Sequence, residues 1–197
     1  ACDVTDAASI EAAMARTIDR FGRLDSVVAN AGVVPPWSET ASIDLDAWDR
    51  TFAVNVRGVI ATIRAAVPHL AVRGGSIVAM SSLNGFRGHP HQAAYVASKH
   101  AVIGIVKSTA RDLGRHRIRV NALAPGPIAT EALVGRIEAR AAGGGPPAHE
   151  ALAAYGRDTG LGRLATADEV ARAAVFLASD LATGVTGQVL PVDAGIG

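Results

Sequence analysis

Apolar residues along this chain keep two alternating rhythms. Over residues 5–22, Ile10, Met14, Ile18 and Phe21 fall three and four apart, behind Thr5 or Asp6 as a cap and ahead of Gly22. That spacing predicts a helix. Leu24 to Ala29 is short and valine-rich, and predicts a buried strand running into the Asn30-Ala31-Gly32 turn. Residues 46–70 carry the longest helical stripe: Trp48, Phe52, Val56, Val59, Ile63, Val67 and Leu70. A turn and strand follow over 74–82, then a Gly- and Pro-containing loop to Pro90 and a helix over 93–113 stopped by Gly114. Arg119 to Ala124 reads as a strand that Pro125-Gly126-Pro127 breaks. In 128–165 two short helical patterns flank Gly143-Gly144-Gly145-Pro146-Pro147, which predicts a lid-like insertion on a flexible joint. Thr166 to Glu169 forms a capping box opening a helix through Leu177, and Gln188 to Val192 is a last strand.

Strands alternating with helices predict an α/β fold: a doubly wound parallel sheet in one domain over residues 1–197. In such open sheets ligands bind beyond the carboxyl ends of the strands. The loops to inspect therefore begin after Ala29, Met80, Ala124 and Val192. Composition narrows the function. Nineteen basic residues against eighteen acidic leave a formal charge of +1, with no basic field for nucleic acid. The apolar runs are too short and interrupted to cross a membrane. Cys2 is the only cysteine, which excludes an internal disulfide and fits a reducing, cytoplasmic setting.

Lysine occurs only at Lys99 and Lys107, and tyrosine only at Tyr95 and Tyr155. Tyr95 and Lys99 lie four apart at the start of a predicted helix, on one face and one turn from each other. A phenol titrates near ~10, and lowering it by ~3 units takes ~4 kcal/mol of preferential phenolate stabilisation. A neighbouring ammonium supplies a contribution of that kind, and a helix N-terminus a smaller one. Ser82, at a strand end thirteen residues earlier, can point into the same crevice and hold a substrate oxygen. Asn55 interrupts an apolar helix; it is either a solvated position or an amide that holds a water or a local break. His89-Pro90-His91 has no Cys or paired carboxylate nearby, so no metal site is expected. Cys2 lacks a neighbouring base, and no G-x-S-x-G elbow suggests hydrolase chemistry.

Ser82 followed by Tyr95-x-x-x-Lys99 resembles the active-site signature of the short-chain dehydrogenases/reductases. The resemblance runs along nearly the whole chain. Cys2-Asp3-Val4-Thr5-Asp6 is similar to the family segment bordering the adenine ring, and Asn30-Ala31-Gly32 to its Asn-Ala-Gly turn. Asn55-Val56-Arg57-Gly58 resembles the motif of the fourth catalytic residue, and Arg119 to Ile128 the segment that cradles the nicotinamide. Thr130 falls where the family contacts the carboxamide or phosphates, and Val192-Asp193-Ala194-Gly195 resembles its C-terminal turn.

The resemblance implies a Rossmann-like oxidoreductase that interconverts a secondary alcohol and a ketone with NAD or NADP. Tyr95 would be the acid/base, Lys99 would depress its pKa and hold the nicotinamide ribose, Ser82 would polarise the substrate oxygen, and Asn55 would anchor a water linked to Lys99. Cofactor contacts would come from Asp3, Val4, Asn30, Ala31, Gly32, Tyr95, Lys99, Pro125, Gly126, Ile128 and Thr130. The family's N-terminal glycine-rich segment has no counterpart in these residues, so the N-terminal strands are expected to be absent from this chain, and with them the residue that separates NAD from NADP. Two other readings are an inactive fragment and a nucleotide-sensing scaffold on the same fold. Val34, Trp37, Leu83, Phe86, His89, His91, Leu133 and Tyr155 are expected to line the substrate mouth and to suit an apolar alcohol or ketone. The apolar faces of 46–70 and 96–106 exceed what one sheet face needs; in the family these helices pair across a dimer axis, implying a homodimer or homotetramer.

Overall fold

The computed structural model describes residues 1–196. Among them four strands, β1 (Ser26–Ala29), β2 (Gly75–Met80), β3 (Ile118–Pro125) and β4 (Val189–Val192), pair in parallel in the order β1-β2-β3-β4. Side chains on β2 and β3 alternate between two layers, as the pleat requires. Ile77 and Ala79 on β2, with Ile118, Val120 and Ala122 on β3, join a core with Val59, Ile63, Ala66, Leu70, Val102 and Val106. These last come from α3 (Gly58–Leu70) and α4 (Ala93–Leu113). Val78 and Leu123 point the other way, onto Val170 and Leu177 of α7 (Ala167–Ala178). Helices therefore cover both faces, as the alternating pattern predicts, and the fold is the Rossmann-like α/β class.

The helix ends follow local rules. Asp6 caps α1 (Ala7–Phe21), and Gly22 ends it at φ 73°. Thr166 and Glu169 form the capping box of α7. The half-buried C-terminus of α7 meets the sheet edge and would leave carbonyls orphaned. Ser76 Oγ donates to the Ala178 carbonyl at 2.9 Å, and Arg119 donates to the carbonyls of Leu177 at 2.8 Å and Ser179 at 3.0 Å. Asn121, fully buried on β3, accepts from the Gln188 amide at 3.0 Å and donates to the Val185 carbonyl at 2.8 Å, which docks the segment leading into β4.

Two expectations are refined. The stripe over 46–70 is not one regular helix: α2 (Leu45–Phe52) passes through a π turn at Ala53–Arg57 before α3. A strict 3.6-residue pattern cannot show a turn widened by one residue, but Asn55 sits in that turn. The 128–165 insertion folds as α5 (Glu131–Ala142) and α6 (Ala148–Arg157), which stand over the carboxyl end of the sheet.

Candidate active site

β2 ends at Met80, and the next two serines diverge. Ser81 turns inward and donates to the Lys99 carbonyl at 3.0 Å, tying the strand exit to α4. Ser82 is extended, with its hydroxyl accepting from the Asn84 amide at 3.2 Å and lying 3.5 Å from the Pro125 carbonyl. A short 3₁₀ turn, Leu83–Gly85, then crosses α4 so closely that a Cβ at Gly85 would lie 2.7 Å from Ser81 Oγ and 2.9 Å from the Lys99 carbonyl oxygen. Only glycine fits there.

Tyr95 occupies the first turn of α4, and Lys99 the next. Lys99 is 4% exposed; its Nζ donates to the Met80 carbonyl at 2.8 Å and stands 5.5 Å from the centre of the Tyr95 ring. Burial pushes its ammonium down to about 8. Burial also pushes the Tyr95 phenol up, while the Ser82 hydroxyl and the Arg136 charge pull it back. Burial is the largest of these effects, so the net direction at Tyr95 is upward.

Asn55 is completely buried. Its amide is matched to the loop after β1: Oδ1 accepts from the Val33 amide and Nδ2 donates to the Val33 carbonyl, both at 2.8 Å. Nδ2 also donates to Ser98 Oγ at 3.1 Å, and that hydroxyl donates to the Tyr95 carbonyl at 2.7 Å. Asn55 thus joins the loop carrying Gly32 to the turn carrying Tyr95, and both of its N–H donors are used. Asn55→Ala removes three hydrogen bonds and is expected to cost about 2–3 kcal/mol, lowering Tm by about 4–12 °C in a chain of this size. An unchanged Tm in calorimetry would contradict this joining role.

A cavity of about 770 Å³ opens beside these groups, lined by Ser82, Tyr95, Trp37, Ile128, Thr130 and Arg136 among others. Val34, Leu83, His89, Leu133 and Tyr155 line it as expected. Phe86 and His91 do not. Phe86 is half exposed, and His91, at φ 62°, turns to a separate groove between Trp37 and Trp48. Arg87, Arg136 and Asp158 also line the cavity, so its wall is not purely apolar. His89 uses Nδ1 on the Pro90 carbonyl at 2.8 Å. Among the described residues no cluster of three or more His, Cys, Asp and Glu could hold a metal.

A smaller cavity of about 210 Å³ gathers Asn30, Gly32, Met80, Tyr95, Lys99, Pro125 and Gly126, which joins six of the expected cofactor residues. Ile128 and Thr130 stand in the larger cavity, where Thr130 also caps α5 through the Leu133 amide at 3.3 Å. Val4, Asn30 and Ala31 line an apolar groove on the other side of β1. Asp3 is occupied locally: its carboxylate accepts from the Thr5 amide and hydroxyl at 2.9 and 2.8 Å, which holds it below the usual carboxylate range. Ser81, Gly85, Ser98 and Arg136 escape sequence reasoning, because their roles depend on contacts between elements distant in the chain.

A family model described as Enoyl-(Acyl carrier protein) reductase matches residues 1–197. The chain is 39% identical over 198 residues to Short-chain dehydrogenase reductase 4 of Arabidopsis thaliana, a match covering 98% of this chain and 64% of that protein. It spans under two thirds of that relative's length. Among solved structures it is similar to carveol dehydrogenase from Mycobacterium avium in complex with NAD, with TM-score 0.91, 36% identity, and 98% and 72% of the two chains covered. It is also similar to ElxO with NADP bound, with TM-score 0.88, 31% identity, and 98% and 75% covered. The fold is thus that of the nicotinamide-dependent α/β dehydrogenases. The chain belongs to the short-chain dehydrogenase/reductase family.

Proposed function

We propose that this protein is an NAD- or NADP-dependent oxidoreductase that interconverts a secondary alcohol and a ketone. The observation that carries the reading is the placement of Ser82, Tyr95 and Lys99 at one cavity edge, on two elements locked together through Ser81 and Gly85. Relatives solved with NAD and NADP support the cofactor class.

The residues present fit the nicotinamide-ribose end of such a cofactor. A Cβ at Gly32 would stand 3.4 Å from Asn55 Oδ1 and 3.6 Å from Lys99 Nζ, so glycine keeps the approach to Lys99 open. Lys99 has three N–H donors, and among the described residues only the Met80 carbonyl takes one, leaving donors for a ribose hydroxyl. When bound, a nicotinamide supplies or accepts the hydride. In reduction, Ser82 donates a hydrogen bond to the ketone oxygen and fixes it beside the phenol. Tyr95 then gives its proton to the developing alkoxide; in oxidation it takes that proton back. Asn55 acts at one remove, holding Gly32 and Tyr95 in register rather than reaching the reacting atoms.

The test is direct. The protein is titrated with NADH and NADPH by nicotinamide fluorescence, and reduced-cofactor oxidation is followed with a panel of ketones. Saturable binding with ketone-dependent oxidation is expected. Saturable binding without turnover of any ketone would replace this reading with a nucleotide-sensing one.

A further inference from the structure

We propose that the substrate carries a carboxylate and that Arg136 of α5 is its anchor. This rests on the oxidoreductase reading and names the substrate class of the same site.

The argument starts from where α5 faces. Ala132, Leu133 and Arg136 line the large cavity together with Ser82 and Tyr95, while the next residue, Ile137, is buried at 3% exposure. One turn on, Arg140 stacks over the Trp37 ring at 5.1 Å, which fastens this face of the helix to the opposite cavity wall. The Arg136 stem is itself held, because Nε donates to the Ala132 carbonyl at 3.2 Å. Among the described residues its two terminal nitrogens have no hydrogen-bond partner, and no side-chain carboxylate lies within ion-pair distance.

A guanidinium drawn partly out of water without a counter-ion is costly. On the solvent-exposed surface some arginines pair with carboxylates, Arg23 with Asp25, Arg163 with Glu169 and Arg172 with Asp168. Arg136 stands, with Arg87, in the cavity that holds the acid/base, and its charge is felt at the Tyr95 phenol. The planar fork of a guanidinium matches a carboxylate through two parallel hydrogen bonds. A dianion fits less well, because Asp158 stands on the same wall. The cavity thus suits an oxo acid or hydroxy acid whose reacting carbon lies at Ser82 and Tyr95 and whose carboxylate reaches Arg136.

The spacing between the two ends is tested with 3-oxobutanoate, 4-oxopentanoate and 5-oxohexanoate, each against its methyl ester, with NADH and NADPH. At one length at least, kcat/KM for the acid is expected to exceed that for the ester by about 10- to 100-fold, the worth of a charge-assisted hydrogen-bonded pair. Arg136→Met should bring that ratio within about threefold, chiefly through KM for the acid. Arg136→Lys, which keeps the charge but not the fork, should fall between. Tryptophan fluorescence, reporting from Trp37 in the cavity wall, reads binding of the same compounds without turnover. Saturable binding of an acid that Arg136→Met abolishes, with no reduction, would sustain the anchor and sink the oxidoreductase reading. Equal reduction of acids and esters would sustain the enzyme and overturn the anchor. Failure of every acid to bind would overturn the anchor too.

Discussion

Tyr95→Phe is expected to lower kcat by about 10²–10⁴-fold, the usual worth of a positioned acid/base, while Tm moves by no more than about 2 °C. The substitution removes one oxygen and keeps the ring that faces Lys99. In the fold that oxygen interacts with Ser82, whose hydroxyl has other partners at Asn84 and Pro125, so nothing buried is left orphaned. Burial raises the phenol pKa, so Tyr95 holds its proton throughout the neutral range. It is then ready to protonate an alkoxide in reduction, while oxidation must first draw the proton away. Reduction should therefore run well at neutral pH, and oxidation should gain as pH rises. Stopped-flow measurement of both directions in wild type and Tyr95→Phe checks this. A variant that keeps more than about a tenth of wild-type kcat would remove Tyr95 from its role.

The parts of this site that were legible in the sequence are those set by local rules. The Tyr95–Lys99 spacing places both side chains one turn apart whatever surrounds them, and α4 runs over the expected residues 93–113. The Thr166–Glu169 capping box is a four-residue matter. Asn55 shows the limit of such rules. As an amide in an apolar stripe it was visibly out of place, but whether it faces solvent or a buried loop depends on Val33, twenty-two residues away. Ser81 and Ser82 are adjacent and chemically alike; strand geometry sends one into α4 and the other to the cavity. Arg136 was less legible still, one of seventeen arginines in a segment without core periodicity. Its meaning comes from the folding of α5 over the sheet, which also turns an expected apolar mouth into one with charge on its wall.

Lys99 carries the second large effect, and pH exposes it. Its ordinary pKa of 10.5 is pushed down to about 8 because the ammonium is buried with one carbonyl partner. Deprotonation takes the positive charge and one of three N–H donors from Lys99 and so weakens its bond to the cofactor ribose; kcat/KM for the reduced cofactor, which reports the free enzyme, should therefore fall above pH 8. Lys99→Arg, charged at all these pH values, should move that limb beyond about pH 10. Lys99→Met should lose about 10²-fold at every pH and show no limb. Stability carries the same signature with the opposite consequence. Between about pH 8 and 10.5 the folded chain binds fewer protons at this position than the unfolded chain, so the burial penalty is full at pH 7 and is relieved as pH rises through that window. The penalty is on the order of 3 kcal/mol, offset in part by the hydrogen bond to Met80. Lys99→Met escapes the penalty at any pH. Its Tm relative to wild type should therefore be highest at pH 7 and decline toward pH 10. A difference in Tm that stays constant across that range would show that Lys99 is not titrating in the fold, and the limb in kcat/KM would then belong to another group.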